Sequence, residues 1–245
     1  MYKKKIIFIS GSSSGIGFHL AQKYLAIGYK VIINGRNLIK LKKASDKLNK
    51  CDYFCCDLSN EKNIKNVVRI IKKKYKYIDV LICNLGNSNY KKNNSDLEHA
   101  LRYNLLTTTK LIESSSIILK SNSSKIICIS SICGVEKING APIGYSVAKS
   151  ALNFYIKLIS NELAKKGITI NGILPGNIIF NGSTWDKKIK VNPRKIKSYI
   201  KQNVPINQFG KPDDIFEICK IISESKNKFI TGSLFKLDGG QTRSI

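Results

Sequence analysis

Short apolar runs that alternate with longer amphipathic stretches are the feature that most restricts the fold of this chain. Seven short runs are mostly apolar, at residues 5–9, 30–33, 53–56, 78–83, 125–129, 168–174 and 234–237. Several are apolar throughout, which is typical of parallel strands covered by helices on both faces. Amphipathic, helix-compatible stretches lie between them, at residues 18–27, 64–74 and 97–119.

This alternation predicts an α/β fold: a doubly wound, Rossmann-type parallel sheet of about seven strands with right-handed crossovers. No low-complexity linker and no internal repeat interrupts the 245 residues, so we predict a single domain over residues 1–245. In such a sheet, ligands bind beyond the carboxyl ends of the strands. The functional motifs are therefore expected directly after strands.

The first apolar run resembles the start of a signal peptide, because Lys3, Lys4 and Lys5 precede it. It ends at Ser10, well short of the roughly 7–15 apolar residues of a signal-peptide core. No run approaches the roughly 20 apolar residues that span a bilayer. We therefore predict a first β-strand, a cytoplasmic protein and no membrane partner.

The cysteines and histidines predict neither a disulfide framework nor a metal site. No C-x-x-C pair occurs, and only two histidines, His19 and His99, are available as further zinc ligands. The prediction is reduced, mostly buried thiols. The seven cysteines are Cys51, Cys55, Cys56, Cys83, Cys128, Cys133 and Cys219.

The formal net charge of +26 has two interpretations. A polyanionic partner would explain it, such as nucleic acid, an acidic carrier protein or a phosphorylated substrate. A general enrichment in Lys, Asn and Ile would explain it equally without any partner. The lysines are spread over almost every polar stretch, and no aromatic–basic signature of RNA binding accompanies them. This favours the compositional interpretation, and no nucleic-acid partner is predicted.

A glycine-rich loop, Gly11 to Gly17, separates the first strand from the first helical stretch. Glycines allow a tight turn and let the backbone approach a pyrophosphate, whose charge a helix N-terminus stabilises. The alternative is a plain turn, since such glycine spacing is common. Its position between a first strand and a first helix favours a dinucleotide site.

Two charged residues follow the second and third strands, where the ribose and adenine of a dinucleotide would lie. Arg36 stands where an acidic residue would bind the ribose hydroxyls of NAD, and its planar fork suits the 2′-phosphate of NADP. The alternative for Arg36 is a solvated surface charge. Asp57 is either an acceptor for the adenine amino group or a helix N-cap near Ser59.

Tyr145 and Lys149 are candidates for acid–base chemistry, because residues four apart share one face of a helix. A phenol has an unperturbed pKa of about 10. An adjacent ammonium lowers it, towards the range in which proton transfer is efficient at neutral pH. Tyr–Lys pairs at this spacing are also frequent by chance, so the pair gains meaning only from its surroundings.

Further polar groups are expected at the same edge of the sheet. Ser131 follows the fifth strand, Asn84 and Gly86 follow the fourth, and Asn104 falls within the next amphipathic stretch. With these motifs in this order, together with Pro175-Gly176, the segment 210–214 and the terminal segment 237–240, the sequence resembles the short-chain dehydrogenase/reductase family over essentially its whole length.

The resemblance implies an NAD(P)-dependent oxidoreductase that transfers hydride between a nicotinamide and a carbonyl or secondary alcohol. Tyr145 would be the general acid, and Ser131 would bind and position the carbonyl oxygen. Lys149 would lower the pKa of Tyr145 and hold the nicotinamide ribose. Asn104 would anchor a water that connects Lys149 to solvent.

The same resemblance implies which residues contact the cofactor. NADP is expected as the preferred cofactor, with NAD as the alternative. The expected contacts are Gly11, Ser13, Ser14, Gly15, Ile16, Gly17, Arg36, Asp57, Leu58, Asn84, Gly86, Tyr145, Lys149, Pro175, Gly176 and Ile178.

The sequence departs from the family pattern at several positions. Ser10 replaces the usual Thr, Leu85 is bulkier than usual beside the adenosine, and Phe180 stands where a Thr often binds the carboxamide, with Thr184 as a substitute. The loop between Ser131 and Tyr145 is one residue longer than in many members, so it must bulge, and the segment 86–104 looks short.

Residues 177–207, which we call the lid, are expected to cover the active site. The lid contains the only tryptophan, Trp185, within a basic segment that holds Lys187, Lys188, Lys190, Arg194, Lys195, Lys197 and Lys201. These charges indicate either an anionic substrate or a solvated helix face in a lysine-rich protein.

Two substrate classes stay open: a 3-oxoacyl thioester, and a keto-sugar or nucleotide-linked sugar of polysaccharide biosynthesis. A third alternative, outside catalysis, is a nucleotide-sensing or nucleic-acid-binding protein that keeps the fold. The resemblance also implies a homotetramer or homodimer, packed through the helices that carry Asn104 and Tyr145.

Overall fold

All seven strands join one parallel sheet in a computed structural model that describes residues 4–49, 51–87 and 96–244. The strand order is β3-β2-β1-β4-β5-β6-β7. The strands are β1 (Ile6–Ile9), β2 (Lys30–Gly35), β3 (Asp52–Cys55), β4 (Val80–Cys83), β5 (Lys125–Ile129), β6 (Thr169–Pro175) and β7 (Leu234–Leu237). The predicted fold class is confirmed, and the predicted strand limits agree with these to within two residues.

Helices connect the strands and cover both faces of the sheet. They are α1 (Gly15–Ala26), α2 (Leu38–Lys47), α3 (Glu61–Tyr75), α4 (Asp96–Leu101), α5 (Thr107–Ser115), α6 (Ile143–Ala164), α7 (Thr184–Val191), α8 (Pro193–Asn203) and α9 (Pro212–Glu224). The stretch predicted as one helix at 97–119 is divided between α4 and α5 by a π-helical turn, Arg102–Leu106, and ends at Ser115.

The alternation of apolar residues along the strands creates two hydrophobic layers. In β5, Ile126 and Cys128 pack against the layer beneath α3, α5 and α6, whereas Ile127 and Ile129 pack against the layer beneath α1, α2 and α9. Because β1, β4, β5 and β6 are buried along their whole length, they need no polar alternation. This explains the continuous apolar runs of the sequence.

The direction of chain winding reverses between β1 and β4, which are neighbours in the sheet. β2 and β3 extend from β1 on one side, and β5, β6 and β7 extend from β4 on the other. The carboxyl ends of β1 and β4 therefore bound the crevice at the switch point, where ligands bind in open α/β sheets. The loops that follow them carry the predicted motifs.

The lid contains the two helices α7 and α8. The side chains of Ser183 and Asn192 cap them by accepting from the backbone N–H groups of Asp186 and Lys195. A proline at the first position of α8 supports its start, since it lacks only an N–H that has no helical partner there.

The cysteines are all free thiols: three are buried, three are half-buried and Cys55 is exposed. Within the described residues, no helix is long and apolar enough to cross a membrane, and no group of three potential metal ligands comes together.

Candidate active site

Lys149 is almost completely buried, with 2% of its surface exposed. It lies in the second turn of α6, and its Nζ donates a hydrogen bond to the carbonyl oxygen of Ile129 at 2.9 Å. Burial lowers the pKa of Lys149 to about 8, because a charged ammonium is poorly stabilised away from water. The group can therefore gain and lose a proton close to neutral pH.

Tyr145 lies one helical turn before Lys149 on α6, as the spacing predicts. Lys149 Nζ is 5.7 Å from the centre of the Tyr145 ring, and both side chains line the same cleft. An ammonium at this distance stabilises negative charge on the phenol oxygen.

Ser131 lies directly after β5 and caps the short 3-10 turn Ile132–Gly134. Its Oγ accepts a hydrogen bond from the backbone N–H of Cys133 at 3.1 Å. This contact orients the hydroxyl, and an oxygen that accepts from a backbone N–H keeps its own proton for donation. Ser131 lines the cleft together with Tyr145.

Asn104 is fully buried in the π-helical turn. Its Oδ1 accepts from the Asn87 N–H at 3.0 Å, and its Nδ2 donates to the carbonyl oxygens of Ala100 and Asn87 at 3.0 and 3.2 Å. Both ends of the amide are thus fixed, and the loop after β4 is tied to the helix.

Gly86 brings Asn104 and Lys149 to one small space. A Cβ at Gly86 would lie 3.1 Å from Asn104 Oδ1 and 3.3 Å from Lys149 Nζ. The Asn104 amide oxygen and the Lys149 ammonium are therefore both close neighbours of Gly86.

The cleft that joins Ser131, Tyr145 and Lys149 has a volume of about 370 Å³, and Asn104 lies behind Gly86 outside its lining. The predicted residues that line it are Ile16, Asn84, Gly86, Ser131, Tyr145, Lys149, Pro175, Gly176 and Ile178. The loop between Ser131 and Tyr145 bulges over it, turning at Gly140 with a φ of +79°.

The glycine-rich loop fits a pyrophosphate. Gly11 and Gly15 both have a φ of +61°, a conformation that side chains strain, and a Cβ at Gly17 would lie 2.6 Å from the Gly11 carbonyl oxygen. α1 begins at Gly15 without a capping side chain or an acidic residue in its first turn. Its N-terminal N–H groups and positive dipole end are therefore available to an anion.

A second cavity of about 270 Å³ lies beside this loop. It holds seven of the predicted residues: Gly11, Ser13, Ser14, Arg36, Asp57, Leu58 and Gly86. Its size and position beyond β2 and β3 suit an adenosine, and we call it the adenosine pocket. Together with the cleft and the open helix end, it provides the extended space that a dinucleotide needs.

Asp57 Oδ1 accepts from the backbone N–H of Ser59 at 2.8 Å, which closes the turn before α3. The N-cap of α3 is Asn60, whose side chain accepts from the Lys62 N–H. The second carboxylate oxygen of Asp57, Oδ2, lies 3.5 Å from Arg36 Nη1 in the adenosine pocket. The cap that the sequence left open for Asp57 therefore belongs to Asn60.

Several residues of both cavities were not predicted from the sequence. Asn34 is buried, and its side chain joins the Gly11 N–H to the carbonyl oxygens of Phe54 and Cys56. A buried Asn at the end of an otherwise apolar strand was the available signal. The adenosine pocket also contains Asn87, His99, Tyr103 and Thr107, for which no short motif exists.

The departures from the family pattern lie against the cofactor loop. Leu85 packs on Gly11, where a Cβ would lie 3.0 Å from its Cδ2, and the Phe180 ring packs on Gly15. Phe180 and Thr184 both line the cleft. Residues 88–95, which belong to the segment 86–104 that looked short, lie outside the described residues.

The lid forms one wall of a groove of about 700 Å³ that continues from the cleft. The Trp185 ring stacks on Tyr199, with centroids 5.0 Å apart, and Lys188 Nζ lies 4.7 Å from the Trp185 ring centre. The groove is lined by Asn139, Gly140, Trp185, Lys187, Lys188, Val191, Asn192, Lys195, Ile196 and Tyr199. Aromatic and aliphatic surface is thus combined with lysines.

Sequence comparisons cover almost the entire chain. A family model described as enoyl-(acyl carrier protein) reductase matches residues 11–242. The 3-oxoacyl-[acyl-carrier-protein] reductase FabG of Rickettsia prowazekii (strain Madrid E) is 30% identical over 243 residues, which cover 96% of both chains. FabG of Buchnera aphidicola subsp. Acyrthosiphon pisum is 28% identical over 243 residues and 97% of both chains.

Solved structures share the fold at lower sequence identity. L-sorbose reductase of Gluconobacter frateurii, complexed with NADPH and L-sorbose, superimposes with a TM-score of 0.87 at 22% identity, covering 99% of this chain and 98% of that one. The Pseudomonas aeruginosa RhlG/NADP complex superimposes with a TM-score of 0.89 at 23% identity, covering 98% and 96%.

Proposed function

The chain belongs to the short-chain dehydrogenase/reductase family and is an oxidoreductase; on this premise we propose that it uses NADPH to reduce a 3-oxoacyl thioester. The observation that carries the proposal is the apolar groove of the lid, which opens onto the cleft of Ser131 and Tyr145. An acyl chain has the length and apolarity to occupy it.

The proposed reaction assigns one task to each catalytic side chain. NADPH supplies the hydride to the carbonyl carbon when it is bound. Ser131 donates a hydrogen bond to the carbonyl oxygen, and Tyr145 transfers its proton to that oxygen as negative charge develops there. The Lys149 ammonium stabilises the phenolate that is left.

Tyr145 must then recover its proton. Lys149, with its pKa lowered to about 8 by burial, is suited to exchange protons close to neutral pH. Lys149 Nζ and Asn104 Oδ1 both lie close to Gly86, and a water held between them would connect the two groups. We propose that protons reach the site from solvent along this route.

Arg36 supports the choice of NADPH over NADH. Its side chain is 61% exposed and borders the adenosine pocket, where the family places the ribose 2′ position. A guanidinium at this position binds a phosphate through paired N–H groups. Two proteins of the same fold were solved with NADPH and NADP.

The lid favours an acyl substrate over a sugar. Trp185, Val191, Ile196 and Tyr199 present aromatic and aliphatic surface along the groove, which would leave the hydroxyls of a sugar without hydrogen-bond partners. The lysines at its rim suit an anionic carrier of the acyl chain, such as a phosphopantetheine group. L-Sorbose reductase shows that the same fold accommodates a keto-sugar, which makes this the alternative to exclude.

We propose that the protein acts in the cytoplasm and assembles as a homotetramer through α4, α5 and α6. Apolar side chains are exposed on α6 and on the π-helical turn between α4 and α5, including Leu106, Phe154 and Leu158, with exposed fractions of 46, 65 and 56%. Such surface is typical of subunit contacts. A monomer in light scattering at moderate ionic strength would contradict the assembly without affecting the reaction.

The first experiment follows NADPH absorbance with acetoacetyl and longer 3-oxoacyl thioesters. We expect turnover that falls by about 10²–10⁴-fold in Tyr145→Phe, because the phenylalanine keeps the ring but has no proton to donate. NADPH binding should be retained in the variant. Turnover of L-sorbose or of an enoyl thioester, without turnover of 3-oxoacyl thioesters, would overturn the proposed substrate.

A further inference from the structure

The adenosine pocket contains a tyrosine that the proposed reaction does not use. Tyr103 lies in the π-helical turn Arg102–Leu106, directly before Asn104, and lines the pocket together with Arg36 and Asp57. π-helical turns within α-helices occur frequently at functional sites. Asn104, in this turn, already has a role in the proposed reaction, whereas its neighbour Tyr103 has none.

Arg36, Asp57 and Tyr103 form a triangle of polar contacts. Arg36 Nη1 lies 3.5 Å from Asp57 Oδ2 and 3.5 Å from the Tyr103 hydroxyl oxygen. The Tyr103 hydroxyl in turn lies 3.5 Å from Asp57 Oδ2. These distances are at the long end of hydrogen bonding, so each contact orients its partners without holding them tightly.

The Tyr103 ring also contacts Arg36. The guanidinium carbon is 5.4 Å from the ring centre, within the range of a cation–π interaction. His99 supports the ring, with centroids 4.5 Å apart. An exposed arginine otherwise samples many rotamers, and here an aromatic surface restricts them.

The contacts leave most of the guanidinium available to a ligand. Among the described residues, every contact of the guanidinium is made by Nη1 or by the face that lies over the Tyr103 ring. The remaining Nε and Nη2 N–H groups are the donors that a phosphate requires for paired hydrogen bonds.

The Asp57 carboxylate competes with a ligand phosphate for the Arg36 guanidinium. Burial alone would raise the pKa of Asp57, but the Ser59 N–H and the Arg36 guanidinium hold it below its usual value. The carboxylate therefore stays ionised at neutral pH and attracts Arg36. A Tyr103 hydroxyl that donates to the same Oδ2 satisfies part of that negative charge and weakens the hold on Arg36.

We propose that Tyr103 is a positioning residue that makes Arg36 selective for the 2′-phosphate of the adenosine moiety. It acts through Arg36, by supporting the guanidinium with its ring and by sharing the Asp57 carboxylate with its hydroxyl. The inference rests on the proposed preference for NADPH. Tyr103→Phe removes the hydroxyl and keeps the ring, so this substitution tests the contribution of the hydroxyl alone.

Calorimetric titrations with 2′,5′-ADP and with 5′-AMP test the proposal without any turnover. In Tyr103→Phe we expect about fivefold weaker binding of 2′,5′-ADP, the usual effect of losing one hydrogen bond, and a change of less than twofold for 5′-AMP. Retained 5′-AMP binding shows that the variant is folded. Tyr53→Phe, at an exposed tyrosine of β3, is the matched control and should leave both affinities unchanged.

The same titrations in an Arg36→Met background separate a positioning role from direct contact. If Tyr103 acts through Arg36, adding Tyr103→Phe to Arg36→Met should change 2′,5′-ADP binding by less than twofold. A further fivefold loss in that background would overturn the positioning role.

Two further outcomes distinguish a wrong role for Tyr103 from a wrong cofactor preference. If the unmodified protein binds 2′,5′-ADP more tightly than 5′-AMP and Tyr103→Phe keeps that difference, only the role of Tyr103 is wrong. If the unmodified protein binds the two equally, the NADPH preference is wrong, and the role of Tyr103 is overturned with it.

Discussion

The proposed catalytic cluster, which consists of Asn104, Ser131, Tyr145 and Lys149, and the lid lie at the same cleft but are held in different ways. Lys149 and Asn104 are buried, and hydrogen bonds to backbone groups fix them: Lys149 to the end of β5, and Asn104 to α4. The lid is held by capped, exposed helices and by aromatic contacts such as that of Trp185 with Tyr199.

This difference separates two requirements of the proposed enzyme. Proton transfer needs groups placed to within a fraction of an ångström, which a close-packed interior provides. Acceptance of a substrate chain needs apolar surface and charge, which tolerate small displacements. We therefore expect substitutions in the cluster to affect chemistry and protonation, and substitutions in the lid to affect mainly the KM of the substrate.

The largest expected effect concerns the buried Lys149. It is tested by measuring the free energy of unfolding of Lys149→Met by chemical denaturation at several pH values. The folded-state pKa of Lys149 is lowered from 10.5 to about 8, so between these pH values the unfolded chain binds a proton that the folded chain lacks. Stability relative to the variant should rise with pH through this window. At about 1.4 kcal/mol per pKa unit, the rise is about 3 kcal/mol.

Lys197→Met is the matched control, because Lys197 is exposed on α8. Its stability should follow that of the unmodified protein at every pH. If the difference in the free energy of unfolding between Lys149→Met and the unmodified protein does not change between pH 8 and 10.5, burial does not lower the pKa of Lys149.

Much of the cluster could be predicted because strand ends impose position. Once Ser131 and Asn84 are recognised as following buried strands, a parallel sheet places them at one edge, and Tyr145 and Lys149 share a face of α6 from their spacing alone. The contacts of Asn104 could not be predicted, because they depend on the π-helical turn, which no periodicity of the sequence indicates.

The lid could be located but not built from the sequence. Its length and basic residues marked residues 177–207, yet the sequence did not show that Trp185 stacks on Tyr199 or that Val191 and Ile196 line a groove. These contacts join two helices through side chains, and their geometry depends on how α7 and α8 pack. The contacts of Tyr103 could not be predicted for a related reason, because its partners Arg36 and Asp57 follow different strands.

Trp185→Ala tests whether the lid binds the substrate chain. Loss of the indole removes apolar surface from the groove and its stacking with Tyr199, so we expect about a tenfold higher KM for a decanoyl-length 3-oxoacyl thioester. The KM of an acetoacetyl thioester, which has too short a chain to reach the groove, should change by less than threefold. Phe229→Ala, at an aromatic residue that is 97% exposed outside the lid, should change neither. An equal rise for both chain lengths would show that Trp185 shapes the cleft and not the groove.

The smallest expected effect tests whether the charge of the lid is functional. Lys187→Gln, Lys188→Gln and Lys195→Gln together should raise the KM for an acyl thioester on an acidic carrier protein about fivefold at low ionic strength, since exposed charges contribute only a few tenths of a kcal/mol each. In 0.5 M salt the difference should fall below twofold because the charges are screened. Lys42→Gln, Lys43→Gln and Lys47→Gln on exposed positions of α2 remove the same total charge elsewhere and serve as the control. Equal losses in the two triple variants would mean that net charge, and not the lid, attracts the carrier, and the basic residues of the lid would then be part of the general lysine enrichment of the chain.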